Sequence, residues 1–133
     1  MNINQINILA LAYLGDAVYE LEIRSYFINS KIYKVNNLQK NTLKYVSAVN
    51  QCKYIHYLLD NNLLTDEEKE IIIKGRNSKV YSHPKNVDII TYKWATALEC
   101  LFGYLSVLDK KNRIKEIIEL IMEARIWLFL ERM

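Results

Sequence analysis

Two acidic side chains stand alone in apolar surroundings, one near each end of the chain. Asp16 is the only charged side chain in positions 1–18, and Glu99 is the only one in positions 94–108. A carboxylate removed from water is costly unless it pairs with a cation, takes up a proton or binds a metal. We therefore expect the two acids to meet around a shared cation.

Carboxylate oxygens are the ligands that Mg²⁺ prefers, and this ion keeps several waters in its shell. It would activate a water molecule and stabilise a phosphoryl transition state. The alternatives are a helix cap for Asp16 and a buried ion pair for Glu99. Glu20 lies one helical turn beyond Asp16, where it either reaches the metal through water or pairs with Arg24 at the surface.

A basic stretch precedes the helix that is predicted to carry Glu99. Residues 74–93 contain five Lys or Arg and one acid, a local charge of +4 against +3 for the whole chain. Basic and amide side chains are suited to the phosphates and 2′-hydroxyls of RNA. The candidate RNA-binding residues are Arg76, Asn77, Lys79, His83, Lys85 and Asn86. The alternative is a solvated loop without a ligand.

Composition favours one helical domain spanning 1–133. The chain is 51% hydrophobic and 25% charged, and its three glycines and one proline are too few for a many-stranded sheet. Cys52 and Cys100 have no CxxC spacing, which predicts buried thiols in a reducing compartment. Because we find neither a signal peptide nor a bilayer-spanning run, we expect a cytoplasmic protein that does not contact the membrane.

Hydrophobic spacing predicts five to seven helices. Residues 1–29 are predicted to form one helix that is apolar nearly all round and therefore buried. Gly15 is predicted to leave room beside Asp16 for a hydrated metal or a phosphate. Helical spacing resumes at Leu38 and runs, with or without a break, to Leu59 or Leu64. The inner face of this segment is predicted to contain Tyr45, Val46, Val49, Cys52, Ile55 and Leu59.

Capping signals mark the later helices. Thr65 and Glu68 form a capping box at the start of one helix, and Gly75 is predicted to provide a left-handed cap at its end. Asp88 is predicted to cap the next helix, and a last amphipathic helix begins near Lys111.

Aromatic residues are abundant, with ten tyrosines in the chain. Those at helical spacing, such as Tyr13 and Tyr19, are predicted to lie mainly in the core. Tyr81 and Tyr92 flank the basic stretch, and for them substrate contact and core packing remain alternatives. His56 is interpreted as structural.

Two motifs resemble the ribonuclease III family. Residues 11–20, LAYLGDAVYE, resemble the signature "LEFLGDSVL" of its catalytic domains, and residues 96–104, TALECLFGY, resemble its second motif "D-x-x-E-A-x-x-G-A". Together with Gly75-Arg-Asn-Ser-Lys79 and Pro84-Lys-Asn86, the match is to the Mini-ribonuclease III branch, which lacks a double-stranded-RNA-binding domain. The resemblance covers nearly the whole chain.

The resemblance implies an all-α ribonuclease III endonuclease-domain bundle and a homodimer with two catalytic centres along an RNA-binding cleft. It implies an Mg²⁺-dependent endoribonuclease that cleaves double-stranded RNA to 5′-phosphate and 3′-hydroxyl ends during maturation of large-subunit ribosomal RNA. Asp16 and Glu99 match the family's catalytic, metal-binding acids. Ala12, Thr96 and Leu9 stand where full-length family members carry further acids, so the metal shell is thinner here.

Two other hypotheses stay open beside the magnesium-dependent endoribonuclease. The replacements at Leu9, Ala12 and Thr96 motivate a non-catalytic RNA-binding or ribosome-associated domain with the same fold. A helical protein–protein module with ion-paired acids would bind neither metal nor RNA. A cleavage assay on duplex RNA, with magnesium and with chelator, separates the three.

Overall fold

The computed structural model describes residues 5–79 and 82–131, where the chain forms six α-helices and no β-strand. The predicted all-α class and the predicted number of helices are confirmed for this part of the chain. Tyr81 lies outside the described residues. In chain order the helices are α1 (Ile8–Asn29), α2 (Val35–Val46), α3 (Ala48–Asp60), α4 (Asp66–Arg76), α5 (Ile89–Val107) and α6 (Lys111–Glu131).

Helix α5 is the centre of the domain. Every residue from Ala95 to Leu105 is buried except Glu99, which is half-buried. Helices α1, α3 and α4 pack around this segment, and α6 adds apolar side chains such as Ile117 and Ile121 to the same core. Removing these side chains from water is the main driving force for folding.

Helix α1 is not buried all round, so that prediction is wrong. Leu11 and Tyr19 face the core, whereas Tyr13 is 85% exposed and Leu14 and Leu21 are 37% and 62% exposed. The prediction of Tyr13 as a core residue is therefore also wrong. Within the described residues, an apolar face of α1 from Ala10 to Leu21 remains uncovered.

A single residue separates α2 from α3 and changes the phase of the helical pattern. Ser47 is extended (φ −66°, ψ 147°), and its hydroxyl accepts a hydrogen bond from the Asn50 N–H at 3.3 Å. The predicted inner face is consequently only partly right. Val49 is 46% exposed, whereas Leu58, which the prediction omitted, is buried; Tyr54, predicted as a core tyrosine, is buried as expected.

The N-terminal caps predicted at Thr65 and Asp88 are confirmed. The Thr65 hydroxyl accepts from the Glu68 N–H at 3.1 Å, and the Glu68 carboxylate accepts from the Thr65 N–H at 2.9 Å. The Asp88 carboxylate accepts from the Thr91 N–H at 2.9 Å. Each interaction satisfies a backbone donor that has no partner within its helix.

Gly75 does not form a left-handed cap, because it lies inside α4, and Asn77 caps that helix. A Cβ at Gly75 would lie 2.9 Å from Cys100 Sγ and 3.0 Å from the Ala97 Cα on α5. The glycine is therefore required for the close packing of α4 on α5.

The two cysteines are free thiols, but only one of them is buried as predicted: Cys100 is buried, whereas Cys52 is half-buried. Across 5–79 and 82–131, no helix has the length and apolar character needed to cross a membrane.

Candidate active site

Two glycines allow α1 and α5 to approach backbone to backbone beside Asp16. A Cβ on Gly15 would lie 1.6 Å from the Glu99 carbonyl oxygen, and a Cβ on Gly103 would lie 1.9 Å from the Leu11 carbonyl oxygen. Neither position accepts a larger residue unless the helices separate. The prediction that Gly15 leaves room for a metal or a phosphate is wrong, because the backbone of α5 fills that space.

This close approach places the Asp16 and Glu99 carboxyl groups beside each other. Glu99 donates a hydrogen bond to Asp16, and both side chains line one open cleft of about 330 Å³. Asp16 lies within α1, and Asn7 caps that helix, so Asp16 is not a cap. In the described part of the chain no Lys or Arg nitrogen lies within 4.0 Å of either carboxyl group, which excludes an ion pair there.

The acid pair holds a proton when no cation is bound. Burial, the hydrogen bond to Asp16 and the negative charge of Asp16 raise the pKa of Glu99 from 4.5 to about 9. Two adjoining carboxyl groups resist double ionisation unless a positive charge compensates them. A divalent cation would take the place of this proton, and a donor set made only of oxygen suits Mg²⁺ with water in its remaining positions.

Other positions around the cleft do not add acids. No group of three or more His, Cys, Asp or Glu within 5–79 and 82–131 is arranged to hold a metal. Thr96, which stands at the family's second-motif aspartate, donates its hydroxyl to the Tyr92 carbonyl at 3.0 Å. Leu9 and Ala12, which stand at two further family acid positions, add apolar side chains beside Asp16 on the α1 side of the cleft.

Glu20 belongs to a different surface. It lines an apolar groove of about 520 Å³ between α1 and α2, and it pairs with Arg24 at 3.2 Å. Of the two alternatives for this residue, the structure supports the surface ion pair. Although this groove is larger than the acid cleft, it contains no carboxylate pair.

The six candidates of the basic stretch occupy different places. Lys79 lines the acid cleft together with Ser82. Arg76 is half-buried, with its Cζ 5.0 Å from the centroid of the Trp94 ring. The other four are exposed at the end of α4 or in the connection to α5: Asn77, His83, Lys85 and Asn86.

Sequence reasoning missed two residues at this site and left one open. Tyr92 lines the cleft, and its spacing from Thr96 and Glu99 places all three on one face of α5, so the sequence did carry this signal. Ser82 lies in an irregular segment, where spacing gives no indication of direction. Trp94 was missed because its position follows from how three helices pack.

An all-α domain with adjoining carboxyl groups and a lysine in one open cleft has the composition of a metal-assisted phosphodiesterase site. The sequence profile of the Ribonuclease III domain matches residues 9–110, which include Asp16, Lys79 and Glu99. The chain belongs to the ribonuclease III family and, within it, to the Mini-ribonuclease 3 group. It is accordingly an endoribonuclease.

Several relatives support this assignment along most of their length. The Mini-ribonuclease 3 of Enterococcus faecalis is 42% identical over 114 residues, which cover 86% of each chain. That of Acholeplasma laidlawii is 44% identical over 114 residues, 86% of this chain and 90% of the relative. The crystal structure of a Fusobacterium nucleatum protein superposes with a TM-score of 0.78 at 34% identity, covering 92% of this chain and 97% of that one.

Proposed function

We propose that this endoribonuclease depends on magnesium and cleaves double-stranded RNA at the acid cleft. Asp16 and Glu99 would hold the ion, and the observation that carries the proposal is the adjoining position of their carboxyl groups in an open cleft that also contains Lys79. When bound, the ion supplies an activated water and stabilises the charge of the transition state. Lys79 binds the scissile phosphate and neutralises part of its charge.

The proposed reaction is hydrolysis of a phosphodiester. The water oxygen forms a bond to phosphorus, and the bond between phosphorus and the 3′-oxygen breaks. The water releases a proton to solvent and the departing 3′-oxygen takes one up, which leaves a 5′-phosphate and a 3′-hydroxyl.

The proposed substrate is duplex RNA, with a precursor of large-subunit ribosomal RNA as its natural form in the cytoplasm. A-form RNA exposes phosphates and 2′-hydroxyls across a wide minor groove, and the basic stretch supplies cations and amides beside the cleft. Its local charge of +4 predicts salt-sensitive binding without strong sequence preference. The ribosomal assignment rests on the family resemblance, and mapping cut ends on a precursor transcript tests it.

We also propose that residues 1–133 form one catalytic domain. The family profile ends at residue 110, before α6 begins. Helix α6 nevertheless contributes Ile114, Ile117 and Ile121 to the same core as α5, which supports one cooperative unit.

A homodimer is proposed from the uncovered face of α1. Ala10, Leu14, Ala17 and Leu21 recur at helical spacing and are all exposed, with Tyr13 beside them. A continuous apolar stripe of this kind marks a protein interface. Because Tyr13 also lines the acid cleft, a two-fold contact along this stripe would bring the two clefts close together.

Sedimentation velocity tests the dimer. The wild type should sediment as a dimer and Leu21→Glu as a monomer, because the new charge lies in the stripe. Ile126→Glu on α6 is the matched control, since Ile126 is 64% exposed and Leu21 is 62% exposed. A wild type that is monomeric at micromolar concentration would contradict the proposal.

A cleavage assay on duplex RNA tests the catalytic assignment. Asp16→Asn and Glu99→Gln should each lower kcat/KM by at least about 100-fold, because each loses a ligand of the ion. Glu20→Gln is the matched control, an acid on the same helix that faces another groove, and it should cleave like wild type. Chelator should stop cleavage by the wild type. Unchanged cleavage by Asp16→Asn would refute the assignment.

The two rival hypotheses have less support. The relatives are named as ribonucleases, which favours an enzyme over a non-catalytic RNA-binding domain. A protein–protein module required ion-paired acids, and the described residues contain no such pair at Asp16 or Glu99.

A further inference from the structure

Arg76 is a half-buried cation with no acid beside it in the described part of the chain. Its Nε is buried without a hydrogen-bond partner, and Nη1 donates to Asn77 Oδ1 at 3.1 Å. Arg113 is also half-buried, but it donates to Glu68 through two nitrogens at 2.8 Å each. A guanidinium has five N–H donors, so Arg76 retains donors for an anion from outside the chain.

Two aromatic side chains fix the position of Arg76. Its Cζ lies 5.0 Å from the Trp94 ring centroid, and the His56 ring centroid lies 4.5 Å from that of Trp94 at an interplanar angle of 61°. His56 Nδ1 donates to the Cys52 carbonyl at 2.7 Å, which holds the imidazole against α3. We call Arg76, Trp94 and His56 the guanidinium stack; its members come from α4, α5 and α3.

We propose that the guanidinium stack is a preformed clamp for a backbone phosphate, with Trp94 and His56 as positioning residues for Arg76. The inference rests on the proposed function, because the phosphate belongs to the RNA in the acid cleft. Arg76 ends α4 only three positions before Lys79, which lines that cleft. Arg76 does not line that cleft, so the phosphate that it would bind is one further along a duplex seated there.

The rings of Trp94 and His56 would preorganise the Arg76 guanidinium as well as fill space in the packing. A free arginine side chain loses conformational entropy when it binds, whereas a stacked guanidinium has its plane and direction set beforehand. The ring of Trp94 also attracts the cation without using any of its N–H donors.

Binding of duplex RNA in chelator, measured against salt concentration, tests the clamp. Arg76→Ala should lower the slope of log K against log salt by about one, as expected when one phosphate contact is lost. Trp94→Leu should produce most of the same change, and Trp94→Phe should restore wild-type behaviour. The double variant Arg76→Ala/Trp94→Leu should bind no more weakly than Arg76→Ala. Lys69→Ala is the control, because Lys69 is also on α4 but is held by Asn62 at 2.9 Å.

Tryptophan emission provides a second measurement that leaves Trp94 in place. The chain has two tryptophans, so Trp127→Phe makes Trp94 the only emitter. Saturating duplex RNA in chelator should shift its emission, and the additional change Arg76→Ala should abolish the shift. This emission measurement tests the clamp even if the Trp94→Leu variant does not fold.

The outcomes separate this inference from the proposed function. A protein that binds no duplex RNA overturns both. RNA binding with a wild-type salt slope in Arg76→Ala, full additivity of the two substitutions, or unchanged Trp94 emission would overturn the clamp alone.

Discussion

Glu68 and Glu99 are two glutamates in buried surroundings whose neighbours are of opposite kinds. Glu68 accepts hydrogen bonds from Arg113 and from the Thr65 N–H, whereas Glu99 donates to another acid, Asp16. Burial alone would raise the pKa of Glu68, but the Arg113 and Thr65 hydrogen bonds and the Arg113 charge outweigh it and lower that pKa. Burial also raises the pKa of Glu99, and there the hydrogen bond to Asp16 and the Asp16 charge raise it further, to about 9.

Both glutamates are withdrawn from water, so the difference between them comes from the neighbouring group: a cation beside Glu68 and a second acid beside Glu99. Glu68 is satisfied within the chain: it caps α4 and ties it to α6 through Arg113. The acid pair has no cation beside it in the described part of the chain, which supports the binding site proposed for it.

Arg113→Met should have the largest effect on stability. It leaves Glu68 buried and unpaired, which costs about 3–5 kcal/mol in the free energy of unfolding. Urea denaturation at pH 7 measures this loss, and magnesium should not restore it. A loss below about 1 kcal/mol would show that Glu68 is not the structural acid described above.

Gly15→Ala should lower the free energy of unfolding by about 3 kcal/mol, because its Cβ would meet the Glu99 carbonyl oxygen and push α1 from α5. The acids should separate with the helices, and cleavage should fall in the protein that remains folded. Gly75→Ala is the control: its nearest obstacle is the Cys100 side chain at 2.9 Å, and its packing on α5 does not involve Asp16. Equal cleavage by both variants would contradict the role given to Gly15.

Glu99→Gln should stabilise the metal-free protein at alkaline pH, the opposite of breaking the Glu68 pair. Between its ordinary pKa of 4.5 and about 9, Glu99 keeps a proton in the folded state that it loses on unfolding. Its contribution to stability is therefore full below pH 4.5 and falls as pH rises to about 9. The Tm of Glu99→Gln should exceed that of wild type by about 5 °C at pH 8.5 in chelator.

The control for this prediction is the same comparison at pH 4.5, where the difference in Tm should nearly vanish. A difference that does not change with pH would mean that Glu99 does not hold a proton in the folded protein.

Local features of the fold were predictable from sequence. The capping box at Thr65 and the cap at Asp88 depend on residues three positions apart, and both were predicted correctly. The helical phase after Ser47 was not predicted correctly, because one extended residue changes the direction in which the side chains of the following helix point. Val49 consequently lies near the surface and Leu58 lies inside.

Tertiary features were harder to predict, for a physical reason. Asp16 and Glu99 were expected to meet because each is an isolated charge, and the structure does place them together. The roles of Gly15 and Gly75 depend on which helix crosses at each glycine, and spacing along one helix does not contain that information. Tyr13 was assigned to the core because an apolar residue on a helix looks the same whether its own chain or another covers it.

Proton release on magnesium binding tests whether Asp16 and Glu99 hold the cation together. Calorimetric titrations of Mg²⁺ at pH 7.5, in buffers of different ionisation enthalpy, count the protons displaced. The shared-proton site predicts about one proton per ion in wild type and almost none in Glu99→Gln. Binding without proton release in the wild type, or equal release in Glu99→Gln, would contradict a cation held by Asp16 and Glu99 together.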